Sequence, residues 1–233
     1  MYLFYTTKIE GDWATLEEGE ARHCAQVLRK QLGDALHFVD GQGGMYKGRL
    51  IEVGKKSCRI QIEERIDVVA SSPVNLHLAV APTKNIDRFE WFLEKATEIG
   101  ISSITPLLCQ RSERRRLRPE RLERVLIAAM KQSLKAQLPV LNPFTAFLDF
   151  IQSPLTGQGM IAHCIADNKR SLKQTYQAGN DVCILIGPEG DFSSEEIDLA
   201  LQQGFKAVSL GEARLRTETA ALVACHSIHL LNQ

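Results

Sequence analysis

From Pro73 onward, apolar runs with strand character alternate with stretches of helical period, and that alternation constrains the fold more than any other feature. Val74–Pro82 ("VNLHLAVAP") reads as a strand. Ile86, Phe89, Phe92, Leu93, Ala96 and Ile99 then recur at helical spacing, with Gly100 as a stop. Ile101–Leu108 is a second strand, and Pro119 suits the first turn of a following helix. Leu122, Val125, Leu126, Ala129, Met130 and Ser133 mark one face of that helix, which Pro139 is expected to end. Met160–Cys164, Val182–Gly187 and Ala207–Gly211 are further strands, and a last helix runs from about Thr217 to Leu231. Strands alternating with helices predict an α/β fold, a mostly parallel sheet with helices on both faces.

Before Pro73 the pattern differs. Ala35–Gly41, Gly44–Val53 and Ser57–Ile66 are β-like runs separated by glycine-containing turns. Cys58, Ile60 and Ile62 alternate with Arg59, Gln61 and Glu63, as a half-buried strand requires. The expectation is a small antiparallel barrel. Val69-Ala70-Ser71-Ser72-Pro73 reads as the boundary, giving domains at 1–72 and 73–233.

With 28 Lys+Arg against 28 Asp+Glu the net charge is zero, so partners can be read only from local asymmetry. The opening MYLFYTTKIEGDW has no basic flank before an apolar core, and no apolar run reaches membrane-spanning length. Six cysteines without a CxxC pair read as buried free thiols. A cytoplasmic protein is the expectation. His226 and His229 lack a third nearby ligand and read as packed core residues, so no metal site is expected. Phosphate-loop, dinucleotide and nucleophile-elbow motifs are missing.

Two loops stand out. Asp181–Gly187 is apolar on both faces after its first residue, hence a central strand, and Gly187-Pro188-Glu189-Gly190 lies at its carboxyl end, where open α/β sheets bind ligands. Ser193 and Glu196 form a capping box, and Gly204 closes the helix. Taken alone, this loop is equally a tight strand-to-helix connection with Glu189 in solvent. The second loop is "LGEARLRTETAAL", Leu210–Leu222. Thr217 and the neighbouring acids read as a helix N-terminus, and Arg214 and Arg216 beside a positive helix end point to an anion. A basic run holds Arg111, Arg114, Arg115, Arg116, Arg118, Arg121 and Arg124, answered by Glu113, Glu120 and Glu123. Such a run is usually a solvated face, but the excess of Arg suits phosphate contact. Arg22, Arg29 and Lys30 add positive charge to the N-terminal part, a pattern that fits nucleic-acid binding.

Together "RHCAQVLRKQLGDALHFVDGQG", "EKATEIGISSITPLLCQRS", "IGPEGDFSSEEI" and "LGEARLRTETAAL" resemble the bacterial family of 16S ribosomal RNA uridine-N3 methyltransferases, nearly end to end. That family belongs to a trefoil-knot (SPOUT-like) superfamily. The resemblance implies a PUA-like RNA-binding barrel, a knotted C-terminal domain, S-adenosylmethionine as cofactor and a homodimer. The implied substrate is a decoding-site uridine of 16S rRNA, on the assembled small subunit. It further implies cofactor contacts at Leu185, Gly187, Pro188, Gly190, Leu210, Gly211, Leu215 and Thr217. RNA contacts are expected at Arg22, Arg29, Arg111, Arg114 and Lys135. Glu189 is the candidate base for the uridine N3 proton, and Arg216 the candidate stabiliser of the imide anion or a flanking phosphate. Lys131-Gln132-Ser133-Leu134-Lys135 and Glu212-Ala213 depart from the family pattern. The alternatives are ribose 2′-O methylation on the same fold, and a non-catalytic RNA-binding assembly factor.

Overall fold

The computed structural model describes residues 2–67, 73–165 and 169–233. The chain forms two compact units, Met1–Ser71 with Ile127–Leu138, and Ser72–Leu126 with Pro139–Gln233. The expected boundary at Val69–Ser72 lies outside the described residues.

The first unit is a six-stranded sheet in the order β1-β4-β5-β6-β3-β2. Its strands are β1 (Leu3–Tyr5), β2 (Ile9–Glu10), β3 (Trp13–Glu17), β4 (Ala35–Val39), β5 (Met45–Val53) and β6 (Ser57–Ile66). The expectation of an antiparallel barrel needs one correction, because β1 pairs with β4 in parallel. A parallel pair needs a crossover. Here it consists of β2, β3, α1 (Glu18–Arg22) and a π-helical turn over His23–Val27, none of which the sequence pattern revealed. Cys58 and Ile60 face inward with Phe4, Leu16, Phe38 and Leu50, as the alternation required.

Ile127–Leu138 belongs to this unit through Met130 and Ala136, which pack with Leu3, Val39 and Met45. Leu138 N–H donates to Gly41 O at 2.9 Å, and Gly43 N–H to Ala136 O at 3.1 Å. Lys131 Nζ pairs with Glu20.

The second unit carries a parallel sheet. Its elements are β7 (Leu76–Val80), α2 (Ile86–Ile99), β8 (Ser103–Leu108), α3 (Pro119–Gln132, whose last turns fall in the first unit), β9 (Val140–Leu141), β10 (Thr145–Ala146) and α4 (Phe147–Ile151). They continue with β11 (Gln158–Ala162), β12 (Arg170–Ser171), α5 (Leu172–Thr175), β13 (Val182–Ile186), α6 (Ser194–Gln202), β14 (Lys206–Ser209) and α7 (Thr217–Leu231). Strand order is β10-β8-β7-β13-β11-β14-β12, with β9 also on β8.

Every residue of β13 is buried, and it lies between β7 and β11. Cys183 and Leu185 point to one face, into a cluster with Phe147 of α4, Phe192, and Ile197 and Ala200 of α6. Val182, Ile184 and Ile186 point the other way by strand alternation. There α7 packs on β7, β13 and α2. Helices therefore cover both faces, as the sequence required.

One helix end differs from expectation. α3 stops at Gln132, well before Pro139. Leu134 takes a left-handed φ of 57°, and Lys135 N–H reaches back to Met130 O at 3.0 Å. This is a Schellman-type end, closed by local hydrogen bonds before any proline is met.

Candidate active site

Two loops leave the carboxyl ends of parallel strands on either side of β11, one after β13 and one after β14. They wall a cavity of about 360 Å³, within the usual range for a small-molecule site. Gly187, Pro188, Glu189 and Gly190 form one side, with Arg214, Leu215, Arg216 and Thr217 on the other.

The helix N-terminus expected at Thr217 is where α7 starts. Arg216 is the residue before the first helical turn, and no side chain caps it. Thr217 is the first helical residue, buried, and its hydroxyl donates to Gly187 O at 3.1 Å. Gly187 is past the end of β13, so its carbonyl has no ladder partner, and a buried carbonyl must be satisfied somehow.

The two acids of the first loop are held by backbone. Glu189 is exposed, and its Oε1 accepts from Lys84 N–H at 2.9 Å. Asp191, at φ 62°, accepts from Cys164 N–H at 2.7 Å and from its own neighbour Phe192 N–H at 2.9 Å. Lys84 Nζ pairs with Glu113 at 2.7 Å, which raises the pKa of that lysine. Gly187 has little room for a side chain, since an added Cβ would lie 3.0 Å from the Phe192 ring. The capping box at Ser193 and Glu196 is present as expected. Glu196 does more than cap: it is buried, one oxygen accepting from Ser193 N–H and the other from Gln110 N–H at 2.8 Å.

Of the expected cofactor residues, Gly187, Pro188, Gly190, Leu215 and Thr217 line the cavity, as do the catalytic candidates Glu189 and Arg216. Leu185 does not, being fully buried within β13. Leu210 and Gly211 also lie off the lining, where Gly211 exchanges hydrogen bonds with the Ser209 hydroxyl. Sequence reasoning missed Cys164, Ile186 and Asp191 as wall residues. The rule that ligands sit at carboxyl strand ends could have found Cys164, which follows β11.

Of the expected RNA contacts, Arg22 and Arg29 are exposed and Lys135 is half-buried. Arg111 and Arg114 turn back onto loop carbonyls. Arg111 Nη1 donates to Gly190 O at 3.0 Å and Phe192 O at 3.3 Å. Arg114 Nε donates to Thr83 O at 3.0 Å and Nη2 to Lys84 O at 2.5 Å. Arg121 joins α3 to α2 through Glu90 at 2.5 Å.

Two minor expectations fail: Cys164 is an exposed thiol and His226 is exposed. Among the described residues no group of three or more His, Cys, Asp or Glu is placed to hold a metal, and no helix is long and apolar enough to cross a membrane. A larger cavity of about 690 Å³ borders Phe147 and Leu199, and none of the candidate residues lines it.

The family described as "RNA methyltransferase domain" matches residues 70–229, and the "RNA methyltransferase PUA domain" family matches residues 16–63. The chain belongs to the RNA methyltransferase family. A crystal structure of a probable rRNA-methyltransferase from Porphyromonas gingivalis is 42% identical with a TM-score of 0.92, covering 100% of this chain and 98% of that one. The ribosomal RNA small subunit methyltransferase E of Neisseria gonorrhoeae, solved bound to S-adenosylmethionine, is 26% identical with a TM-score of 0.88, covering 100% and 98%. The curated protein of that same name from Synechocystis is 29% identical over 226 residues, 93% of this chain and 73% of its own length.

Membership of this methyltransferase family implies S-adenosylmethionine as cofactor. The cavity fits such a group. Its backbone edges at Gly187 and Gly190 allow close approach, Ile186 and Leu215 are apolar, and carboxylates at Glu189 and Asp191 suit a cation.

Proposed function

We propose that this RNA methyltransferase transfers a methyl group to N3 of a decoding-site uridine in 16S rRNA, acting on the assembled small subunit. The supporting observation is the cavity between the loops after β13 and β14, with Glu189 and Arg216 both on its lining. S-adenosylmethionine, when bound, supplies a methyl group on a sulfonium and leaves as S-adenosylhomocysteine. Gly187, Pro188, Gly190, Leu215 and Thr217, which line the cavity, would hold it.

The uridine must leave its stack to reach the cavity. N3 carries a proton at neutral pH, so the chain must take it up or stabilise the anion. Lys84 N–H holds Glu189 Oε1 and thereby aims the carboxylate, leaving Oε2 to accept the N3 proton. The exposed Arg216 guanidinium faces the charge that develops on the uracil carbonyls, or a flanking phosphate. Among the described residues no salt bridge is formed by Glu189, whose hydrogen bond to Lys84 is to the backbone N–H. A strong pairing with the sulfonium would stabilise the ground state, which does not speed transfer.

RNA is held by Arg22, Arg29 and Lys135 in the first unit, and by the N–H groups of Arg111 and Arg114 that the loops do not use. A homodimer is proposed on α7, which has exposed Leu230 and half-buried Leu222 and Val223, and on α2, which exposes Trp91. Its site of action is cytoplasmic, where the small subunit is assembled. The domain assignment proposed is 1–72 for RNA binding and 73–233 for catalysis.

The deciding experiment incubates small subunits with protein and isotopically labelled cofactor, then digests the rRNA to nucleosides for mass spectrometry. Label in 3-methyluridine is expected. Label in a 2′-O-methyl nucleoside would establish the ribose reading instead, and absence of transfer together with no cofactor binding would leave a non-catalytic assembly factor. Glu189→Gln keeps an acceptor for Lys84 N–H but cannot take a proton. Turnover should fall by about 10²-fold or more with cofactor affinity unchanged.

A further inference from the structure

The basic segment after β8 has an unusual set of partners. Arg111 and Arg114 pair with no carboxylate among the described residues; both donate to main-chain carbonyls. Arg111 reaches Gly190 O and Phe192 O, on the loop that walls the cavity. Arg114 spans the consecutive carbonyls of Thr83 and Lys84 with two different nitrogens. Lys84 N–H in turn donates to Glu189 Oε1, which closes the circuit back onto the cavity loop. At the start of the segment, Gln110 N–H is held by the buried Glu196 carboxylate.

Packing agrees with the hydrogen bonds. A Cβ added at Gly190 would lie 3.3 Å from Arg111 Cβ and 3.6 Å from its Cδ, so the arginine stem lies directly against the glycine. The glycine that gives the ligand access to backbone on one side also admits the arginine on the other.

We propose that Arg111 and Arg114 are positioning residues: they clamp the Gly187–Phe192 loop and the Thr83–Lys84 turn in the conformation that receives the cofactor. This rests on the reading of that loop as the cofactor wall. It gives two residues expected to touch RNA a role that needs no RNA. The guanidinium suits it because its donors are fixed in one plane and can serve two acceptors at once. A lysine has the charge without the fork. That difference separates clamping from the counterion-release part of phosphate attraction, which follows the charge that lysine keeps.

The test compares Arg111→Lys, Arg114→Lys and Arg114→Ala with the wild type. Three quantities are measured on the intact chain: S-adenosylmethionine affinity by calorimetry without RNA, affinity for a 16S rRNA fragment without cofactor, and amide exchange of the cofactor-free protein. The lysine variants should weaken cofactor binding about tenfold, the loss of one to two hydrogen bonds, and leave RNA affinity within twofold. Amide exchange should quicken in Gly187–Phe192 and Thr83–Lys84 alone. Lysine variants with wild-type cofactor affinity and wild-type exchange would overturn the clamp, as would exchange raised throughout the unit. Weaker RNA binding confined to Arg114→Ala, with wild-type cofactor affinity and exchange in every variant, would overturn the clamp and leave that arginine a phosphate contact alone. Should the wild type bind no S-adenosylmethionine, the cofactor reading fails, and the exchange measurement still decides whether the arginines hold the loop.

Discussion

Thr217 donates its hydroxyl to the carbonyl of Gly187 at 3.1 Å, joining the first turn of α7 to the end of the central strand β13. Both residues are buried, and both line the same cavity. One hydrogen bond thus couples the two loops that the sequence shows only as separate motifs.

Thr217→Val keeps the shape and removes the donor. The Gly187 carbonyl is then buried without a partner, at a cost of about 1–3 kcal/mol. Chemical denaturation should show that loss, and calorimetry should show weaker cofactor binding. Thr217→Ser should restore both; a valine variant with wild-type cofactor affinity would remove the coupling role.

Glu196 joins the α6 capping box to the segment after β8, because its two oxygens accept from Ser193 and Gln110 N–H groups. Glu196→Ala leaves the buried Ser193 N–H and the part-buried Gln110 N–H without their acceptor and should destabilise the fold by about 1–3 kcal/mol more than loss of the cap alone. Ser193→Ala removes only the cap and should cost about 1 kcal/mol. Equal losses for the two variants would show that the Gln110 contact contributes nothing.

Gly48 in β5 sits at a register shift against β6, where an added Cβ would lie 2.5 Å from Ile60 Cγ2 and 2.6 Å from Gln61 O. The second neighbour is backbone and cannot swing away. Gly48→Ala should lower stability by about 1–3 kcal/mol. An unfolding midpoint equal to the wild type would show that the sheet relaxes there at no cost.

His77 is mostly enclosed on β7, with its ring against Phe150 and Nε2 2.8 Å from the Thr105 hydroxyl. Burial lowers its pKa below the ordinary 6.5, so the fold favours the neutral ring. Its contribution to stability is therefore fully present above pH 6.5 and is lost as pH falls through the lower folded value. Urea midpoints should decline for the wild type from pH 7 toward pH 5, and decline less for His77→Gln. Parallel declines would assign the loss to other groups.

The sequence by itself determined the parallel sheet and its two-sided helical cover, because apolar spacing records which side of a strand or helix meets the core. Helices over Ile86–Ile99 and Thr217–Leu231, and the wholly buried strand Val182–Ile186, follow from that spacing alone. The two glycine loops were legible as well, since backbone breakers at strand ends leave a local mark. Short strands such as Ile9–Glu10 and Arg170–Ser171 were not, being too brief to show a period. What only the tertiary structure decided was the partner of each polar side chain. Arg111 finds Gly190 across 79 positions of sequence, and Lys84 finds Glu189 across 105. Local pattern reports burial, but a hydrogen bond depends on where a distant carbonyl or carboxylate comes to rest. A run of arginines that looks like a solvated or phosphate-binding face can therefore turn two of its members onto loop carbonyls.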